Sequence, residues 1–307
     1  GYNGITVVVI PIVTYFSWVF TGEHAESQSG WTCFGIIVGL LGLLTAWTVA
    51  FGTKENESAL RSKAQKNGNP IEAFKAIFQN DQLLWVALSY LLYAIANVAT
   101  TGVLIFLFKF ILDNQAAYSL TGVIALVAGL VMAPLYPILN KRIPRRYLYI
   151  GGMISMIAGY VMLGIFSDNI IMVFVALVLF YVPGTLIQMT AILSLTDSIE
   201  YGQLKNGKRN EAVTLSVRPM LDKIAGACSN GIVGFIAVAA GMIGDATAAD
   251  MTAANIGMFK VCAFYVPLGI IVLSLLVFLF KVKITEKMHD EIVEELEAKL
   301  ASGEISE

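Results

Sequence analysis

Eight long stretches with little or no charge constrain this chain more than any other feature of its sequence. A bilayer core about 30 Å thick is crossed by roughly 20 apolar residues of helix, because lipid offers the backbone no other hydrogen-bond partner. The stretches lie near residues 4–20, 31–51, 83–108, 118–139, 147–166, 170–193, 213–242 and 261–280. The sequence therefore predicts an all-α, polytopic membrane protein with eight transmembrane helices.

The composition excludes several other classes of protein. Charged residues make up 14 % of the chain and hydrophobic residues 57 %, whereas soluble chains have about 25 % charged residues. The 20 basic and 22 acidic residues nearly cancel, so no nucleic-acid partner is expected. The three cysteines show no paired spacing, and P-loop and paired midplane carboxylate motifs are missing from the sequence. We therefore expect no metal, no cofactor and no enzymatic activity.

Basic residues are distributed unequally between alternate connections. Four connections hold 16 Lys and Arg residues in all, and the four that alternate with them hold 2. The positive-inside rule predicts this asymmetry for an eight-span chain with both ends in the cytoplasm. The expected lipid partner is a bilayer with these basic connections on its cytoplasmic side.

The longest polar connection divides the predicted helices into two before and six after. Six helices make up one half of a major-facilitator transporter. We expect residues 1–51 to hold the last two helices of an N-terminal six-helix half and residues 52–82 to form a cytoplasmic middle loop. Residues 83–282 would be the C-terminal six-helix half, and residues 283–307 a cytoplasmic tail helix. On this interpretation the chain is truncated, with four helices preceding Gly1 in the whole protein.

Two segments outside the spans have apolar residues at helical spacing. In the middle loop, one helical face would carry Ile71, Phe74 and Phe78. That segment is either a short helix at the membrane interface or a lead-in to the third span. In the tail, the spacing of four recurs at Ile284, Met288, Ile292, Leu296 and Leu300. The tail is either a docking arm for a cytoplasmic regulatory partner or a solvated helix.

The seventh span is the one predicted span that contains ionisable residues. Arg218 and Asp222 are four residues apart and can neutralise each other along one helix face, but Lys223 has no acceptor three or four residues away. If the helix begins near Val213, Lys223 is roughly 15 Å deep, near the midplane. If the membrane helix instead begins at Pro219, Lys223 snorkels to the interface. Charged groups at depth are functional candidates because they are costly unless paired or hydrated.

Uncharged polar residues in the spans could line a cavity. The third span carries a polar face with Tyr90, Tyr93, Asn97, Thr100 and Thr101, and further candidates for the cavity lining are Gln188 and Asn230. Such residues can line a sugar-sized aqueous cavity or form hydrogen bonds between helices. Asn230 also belongs to a stripe of small residues with Gly226 and Gly234, for which close helix packing is favoured.

Two charged links connect the spans on the basic side. The link from residue 195 to residue 219 is dense in charge, with Asp197, Glu200, Lys205, Lys208, Arg209 and Glu211. Composition predicts a solvated loop, while Asn206-Gly207 predicts a turn between two helix ends folded back on one another. The link at residues 140–149, NKRIPRRYLY, is interpreted as an orientation anchor.

The segment LTDSIEYGQLKNGKRNEAVTLSVRPMLDKIAGACSNGIVGFIAVAAG, residues 195–241, resembles a link in a known family. It is similar to the connection between helices ten and eleven of the glycoside-pentoside-hexuronide:cation symporters, a branch of the major facilitators. Among these it most resembles lactose and galactoside permeases that carry a phosphotransferase-like regulatory domain at the C-terminus. The general pattern D-S-x-x-Y-G then K-x-G-x-R is matched at Asp197, Ser198, Tyr201, Gly202, Lys205, Gly207 and Arg209. The closer pattern, S-V-R-P followed by D-K, is matched by residues 216–219, 222 and 223.

The resemblance extends more loosely over all 307 residues, as helices five to twelve. It implies a secondary active transporter of the bacterial cytoplasmic (inner) membrane. Such a transporter moves a galactoside such as lactose, melibiose or raffinose inward with H⁺ or Na⁺ by alternating access. It also implies that Lys223 lies between the sugar and cation sites, and that Lys205 and Glu211 serve sugar binding and proton coupling. Lys208 stands where those carriers have a histidine, and lysine does not titrate near neutral pH. The family's cation-binding aspartates and its regulatory domain lie outside this chain.

Two other functions are kept as alternatives. A major-facilitator transporter for a different solute would have the same helices with a differently lined cavity. A non-transporting membrane fragment is the second alternative, since the chain would lack half of its expected site.

Overall fold

Every regular element in the described part of the chain is a helix. The structure is a computed structural model that describes residues 2–22, 27–52, 75, 77–207, 209, 211–244 and 246–302, with the backbone alone for residues 2–11 and 300. The chain divides into two compact units, residues 1–69 and residues 70–307. Ile71, Phe74 and Lys208 lie outside the described residues, and Phe78 is exposed.

The first unit contains α1 (Tyr2–Thr21) and α2 (Gln28–Gly52), which pack against each other. Two serines hold the turn between them. The Ser27 backbone N–H and hydroxyl both donate to Ser17 Oγ, at 3.0 and 2.9 Å. The Gly30 N–H donates to Ser27 Oγ at 3.1 Å, so Ser27 satisfies one of the free N–H groups at the start of α2.

The second unit contains the remaining helices. Their bounds are α3 (Asp81–Phe106), α4 (Ser119–Asn140), α5 (Arg145–Ile165), α6 (Ile170–Asn206), α7 (Glu211–Ala239), α8 (Ala253–Lys260), α9 (Val266–Lys281) and α10 (Glu286–Ala301). A π-helical turn, Leu107–Ile111, continues α3, and another, Val261–Tyr265, joins α8 to α9. Asparagines start two of the long helices: Asn80 Oδ1 accepts from the Leu83 N–H at 3.0 Å, and Asn169 caps α6 in the same way.

Seven helical segments in the described residues are long and apolar enough to cross a membrane. They are Gln28–Gly52, Asp81–Ile111, Gln115–Asn140, Arg145–Ile165, Ile170–Asn206, Glu211–Ala239 and Ala253–Lys281. Each overlaps one of the last seven predicted spans, in order, and the predicted spans 147–166 and 213–242 extend one and three residues beyond the helix. The first predicted span falls on α1, whose described apolar part is Ile12–Thr21. An all-helical chain with several membrane spans is therefore confirmed, and the eighth span stays a prediction.

The charged link after Leu193 is helical, so its prediction as a solvated loop is wrong. α6 continues to Asn206, where Gly207 ends it in the left-handed conformation with φ +69°. α7 then begins at Glu211. The turn predicted at Asn206-Gly207 is thus confirmed, because glycine adopts positive φ without a steric penalty. Composition failed here because residues of α6 that project beyond the membrane can be polar and still helical.

The tail helix α10 packs against α6, contrary to the interpretation of a solvated tail. Ile292 and Leu296 are each only 6 % exposed, while Met288 and Ile284 are half-buried. The apolar residues spaced four apart therefore pack within this unit, because residues at i and i+4 share one helix face.

α3 packs against α6, α7 and α9, and buried hydroxyl groups join it to its neighbours. The Ser89 hydroxyl lies 2.9 Å from the Tyr149 hydroxyl of α5 and 3.1 Å from that of Ser274 on α9. Nearer the other end of α3, the Tyr160 hydroxyl lies 2.8 Å from Thr100 Oγ1. Hydrogen bonds of this kind join helices where the hydrophobic effect is weak, at about 0.6 kcal/mol each.

Gly159 lets α5 approach the backbone of α6. A Cβ at this position would lie 3.0 Å from the Ala176 carbonyl oxygen and 3.4 Å from the Phe180 nitrogen. Because backbone atoms cannot move aside, Gly159→Val should destabilise the protein by about 1–3 kcal/mol, the usual cost of overpacking. Thermal unfolding of the purified protein in detergent measures this. Gly151→Val is the matched control, since a Cβ at Gly151 meets no atom within 4 Å; equal losses in both variants would contradict the expectation.

Candidate functional site

A tyrosine on α3 and an aspartate on α7 join these two helices through their side chains. The Tyr90 hydroxyl donates to Asp222 Oδ1 at 2.7 Å. Tyr90 is 2 % exposed, whereas 42 % of the Asp222 side chain is exposed. A buried donor therefore orients the carboxylate, whose open side can still accept hydrogen bonds.

Arg218 lies one turn before Asp222 on α7. Its Nε is 3.9 Å from Asp222 Oδ2, and 33 % of its side chain is exposed. At this distance the two groups form an ion pair but not a hydrogen bond. The Nε atom is buried and has no hydrogen-bond partner among the described residues. An unsatisfied buried donor is unfavourable. The α3–α7 site, defined as Tyr90, Arg218 and Asp222, thus presents a partly exposed guanidinium beside a half-exposed carboxylate.

Two of the predicted cavity residues adjoin this site. The Tyr93 ring lies 5.9 Å from the Tyr90 ring, centroid to centroid. The Tyr93 hydroxyl donates to the Gly184 carbonyl of α6 at 3.3 Å, and Gln188 lies one turn further along α6. Gln188 is exposed. Three helices therefore bring together five residues that the sequence indicated.

The rest of the polar face on α3 is used differently. Thr100 bonds Tyr160 of α5, and the Thr101 hydroxyl donates to the Asn97 carbonyl of its own helix at 3.0 Å. Asn97 is half-buried two turns beyond Tyr90, and the described residues give its side chain no hydrogen bond. Hydrogen bonding between helices therefore accounts for Thr100, while Tyr90 serves the α3–α7 site.

Lys223 is exposed and lies on another face of α7 from the α3–α7 site. Leu221 and Ala225 are buried at two residues on either side, which places Lys223 opposite the packed face. Asn230, seven residues on, is exposed on the same side. Lys223 makes no ion pair or hydrogen bond with any residue that the structure describes. α7 runs unbroken through Pro219, so this proline lies inside the helix, and both the deep and the interfacial position of Lys223 stay predictions.

Most of the predicted link residues meet at one end of the second unit, the link end, where α6 ends and α7 begins. Arg209 pairs with Glu200 of α6 at 3.1 Å and with Glu211 of α7 at 3.1 Å. Arg209 also donates to Gln203 Oε1 at 3.2 Å. Glu211 is therefore engaged by an arginine and has no described contact with Asp222.

A second set of charges at the link end ties α5, α6 and α10 together. Arg145 lies 2.8 Å from Asp197 and 3.2 Å from Glu286, the first residue of α10. His289 Nε2 is 3.6 Å from Glu200 and 3.9 Å from Asp197. The described residues contain no group of three or more metal-ligating side chains placed to hold an ion. These contacts connect the tail helix to the link motif.

Sequence reasoning missed several residues of the link end. Arg145 was interpreted as part of an orientation anchor, and Asp81, which pairs with Lys205, was placed in a loop. Arg146 donates to the Leu279 and Val282 carbonyls at 2.8 and 3.1 Å, so it caps the end of α9. A signal for Asp81 did exist, because asparagine at residue 80 followed by an acidic residue is typical of a helix start.

The sequence matches known proteins over nearly its whole length. A family model described as MFS/sugar transport protein matches residues 2–286. Over 303 residues the chain is 51 % identical to a lactose permease of Leuconostoc lactis, covering 99 % of this chain and 47 % of that protein. It is 45 % identical to a lactose permease of Lactobacillus helveticus (99 % and 48 % covered) and 36 % identical to a raffinose carrier protein of Pediococcus pentosaceus (97 % and 46 % covered). The chain spans about half the length of these relatives.

Proposed function

This chain belongs to the MFS/sugar transport protein family, and we propose that it carries out galactoside transport coupled to H⁺ or Na⁺, by alternating access, as part of a secondary active transporter. Membership of this family makes it a multi-pass membrane protein of a transporter class and not an enzyme. The names of the relatives, lactose permease and raffinose carrier protein, support a galactoside as the substrate.

The helices correspond in this proposal to helices five to twelve of the major-facilitator fold. α1 then completes the eight spans, and residues 1–51 belong to the N-terminal half while residues 83–282 form the C-terminal half. The bias of 16 against 2 basic residues supports a cytoplasmic position for both ends of the chain and for the link end.

The α3–α7 site is the observation that carries the proposal. Sugar hydroxyls both donate and accept hydrogen bonds, and this site offers the half-exposed Asp222 carboxylate beside Arg218, whose side chain is 33 % exposed. Charge-assisted hydrogen bonds are the stronger ones, so two such groups side by side suit adjacent hydroxyls of a galactoside. The exposed Gln188 amide on α6 extends the same polar surface.

Lys223 serves either sugar binding or coupling in this proposal. It donates to sugar hydroxyls, or it balances the cation-site carboxylates expected on helices one to four, whose charge a proton or Na⁺ otherwise neutralises. Its exposure, together with its position well inside α7, supports such a contact.

Tyr90→Phe in the full-length protein tests the α3–α7 site. Loss of the hydroxyl removes the donor that orients the Asp222 carboxylate. Because Asp222 is half-exposed, we expect the loss of transition-state stabilisation to be about 1 kcal/mol, which lowers uptake roughly fivefold. Uptake of labelled lactose by cells that express equal amounts of each variant measures the change. Unlabelled galactosides should compete with it, and a peptide or an unrelated drug should not.

Tyr147→Phe is the control for removing a tyrosine hydroxyl, because Tyr147 is 65 % exposed on α5. We expect uptake by that variant to equal the unmodified protein's. Unchanged uptake in Tyr90→Phe would remove the α3–α7 site from the proposal, and competition by solutes other than sugars would favour a transporter of a different class.

A further inference from the structure

Three consecutive residues at the start of α3 bond to neighbouring helices at the link end. Asn80 Nδ2 donates to the Ser198 carbonyl of α6 at 2.6 Å. Gln82 Oε1 accepts from the Lys283 N–H, just after α9, at 2.7 Å. Both Asn80 and Gln82 are 3 % exposed. Between them Asp81 directs its carboxylate at the last turns of α6.

The Asp81 carboxylate has three donors. Its Oδ1 accepts from the Tyr201 hydroxyl at 3.0 Å and from the Lys205 ammonium. Its Oδ2 accepts from Gln82 Nε2 at 3.1 Å. Tyr201 and Lys205 are one turn apart on α6, and the ammonium also lies 5.7 Å from the Tyr201 ring centroid. Lys205 is thereby fixed on α3 although its side chain is 46 % exposed.

The end of α6 also bonds to α7, which carries Asp222. Arg209 joins Glu200 of α6 to Glu211 at the start of α7. α3 and α7 are therefore connected in two ways. The first is direct, through Tyr90 and Asp222 and through the Ser229 hydroxyl, which donates to the Val98 carbonyl at 3.2 Å. The second is indirect, through the end of α6 at the link end. Nine residues of helix, about 13 Å along the axis, separate Asp81 from Tyr90. Lys205 thus belongs to the second connection and lies apart from the α3–α7 site.

We infer that Asp81 is a positioning residue for transport, because it holds Lys205 and keeps the end of α6 tied to α3. Lys205 then contributes through this ion pair and not as a ligand of the sugar. The inference rests on the proposed function, since it concerns the transport cycle of the same chain. A half-exposed pair adds little to overall stability, but a small difference in free energy between two conformations shifts their populations several-fold.

Neutral substitutions in the full-length protein test whether the two charges act together. We expect Asp81→Asn and Lys205→Gln each to lower net lactose uptake about three- to tenfold. Each variant loses the Asp81–Lys205 ion pair, which in this proposal forms in only part of the transport cycle. The double variant should transport no worse than the poorer single variant. The exchanged pair, Asp81→Lys with Lys205→Asp, should transport better than either of its single reversals.

Equilibrium binding of labelled lactose to purified protein separates positioning from sugar contact. We expect the dissociation constant of each neutral variant to stay within about twofold of the unmodified protein's, because neither residue contacts sugar. Asp168→Asn is the matched control for removing an exposed carboxylate, since Asp168 has no bond among the described residues. Its uptake should not change.

Two results would overturn the inference. One is a double neutral variant whose loss equals the product of the single losses, which would make the residues independent. The other is a tenfold or greater loss of lactose binding in Lys205→Gln that Asp81→Asn does not share. An unmodified protein that neither binds nor carries any galactoside would instead overturn the proposed function, so the two failures are distinguishable.

Discussion

Lys223→Ala in the full-length protein is expected to abolish accumulation of sugar against a gradient while leaving membrane insertion intact. The side chain is exposed on α7 and makes no bond within the described residues of its own unit. Its removal therefore costs the fold little, and the charge that we propose to act on sugar or on the cation site is lost. Accumulation ratios of labelled lactose in energised cells measure the first effect, and the amount of protein in purified membranes measures the second.

Exchange of lactose without a gradient distinguishes the two roles kept for Lys223. If Lys223→Ala exchanges sugar normally but does not accumulate it, the lysine serves coupling to the cation. If exchange and binding are both lost, the ammonium serves as a sugar ligand. Lys287→Ala is the control, because this lysine is 88 % exposed on α10. Normal accumulation in Lys223→Ala would refute its assignment.

Arg145→Ala is expected to destabilise the protein by about 2–4 kcal/mol, since removal of one partner leaves a buried charge unpaired. Only 14 % of the Arg145 side chain and 13 % of the Asp197 side chain are exposed. The arginine Nε also donates to Glu286, so the start of α10 loses this side-chain contact and keeps only the bond from the backbone N–H of residue 145. We expect a lower yield of folded protein and a lower thermal midpoint in detergent.

Asp197→Asn in the Arg145→Ala background should recover part of this loss, because the carboxylate that lacked a partner is then neutral. Arg142→Ala in the same link is the control. Arg142 is exposed and its side chain has no bond in the described part of the chain, so its loss should stay within about 0.5 kcal/mol. Equal destabilisation by Arg142→Ala, or no recovery in the double variant, would contradict the importance of this ion pair.

Hydropathy predicted the helices of this chain well, and their ends less well. Within the membrane, all backbone hydrogen bonds must be made inside one helix. The apolar composition of a segment shows directly where this requirement applies. Beyond the membrane that requirement ends, so composition no longer distinguishes helix from loop. α6 therefore continues through Asp197, Glu200 and Lys205, where charge density predicted a solvated link.

The sequence predicted which residues belong to the candidate site, but not which of them bond to each other. Tyr90, Gln188, Arg218 and Asp222 were all indicated by polar chemistry inside apolar spans. Only Arg218 and Asp222, four residues apart on one helix, could be paired from sequence, because periodicity relates residues within an element and not across elements. The bond from Tyr90 to Asp222 spans 132 residues of chain.

The amino-acid sequence alone indicates the class of this protein: an all-helical membrane chain of the sugar transport family, with a recognisable motif at residues 195–241. Which charges act on each other emerges only from the packing of the helices. That packing pairs Lys205 with Asp81, Arg145 with Asp197 and Asp222 with Tyr90, and it places the tail helix on α6. The difference is one of range: the cost of exposing backbone to lipid acts on each segment alone, whereas an ion pair or hydrogen bond requires atoms of two helices to lie within about 3–4 Å of each other.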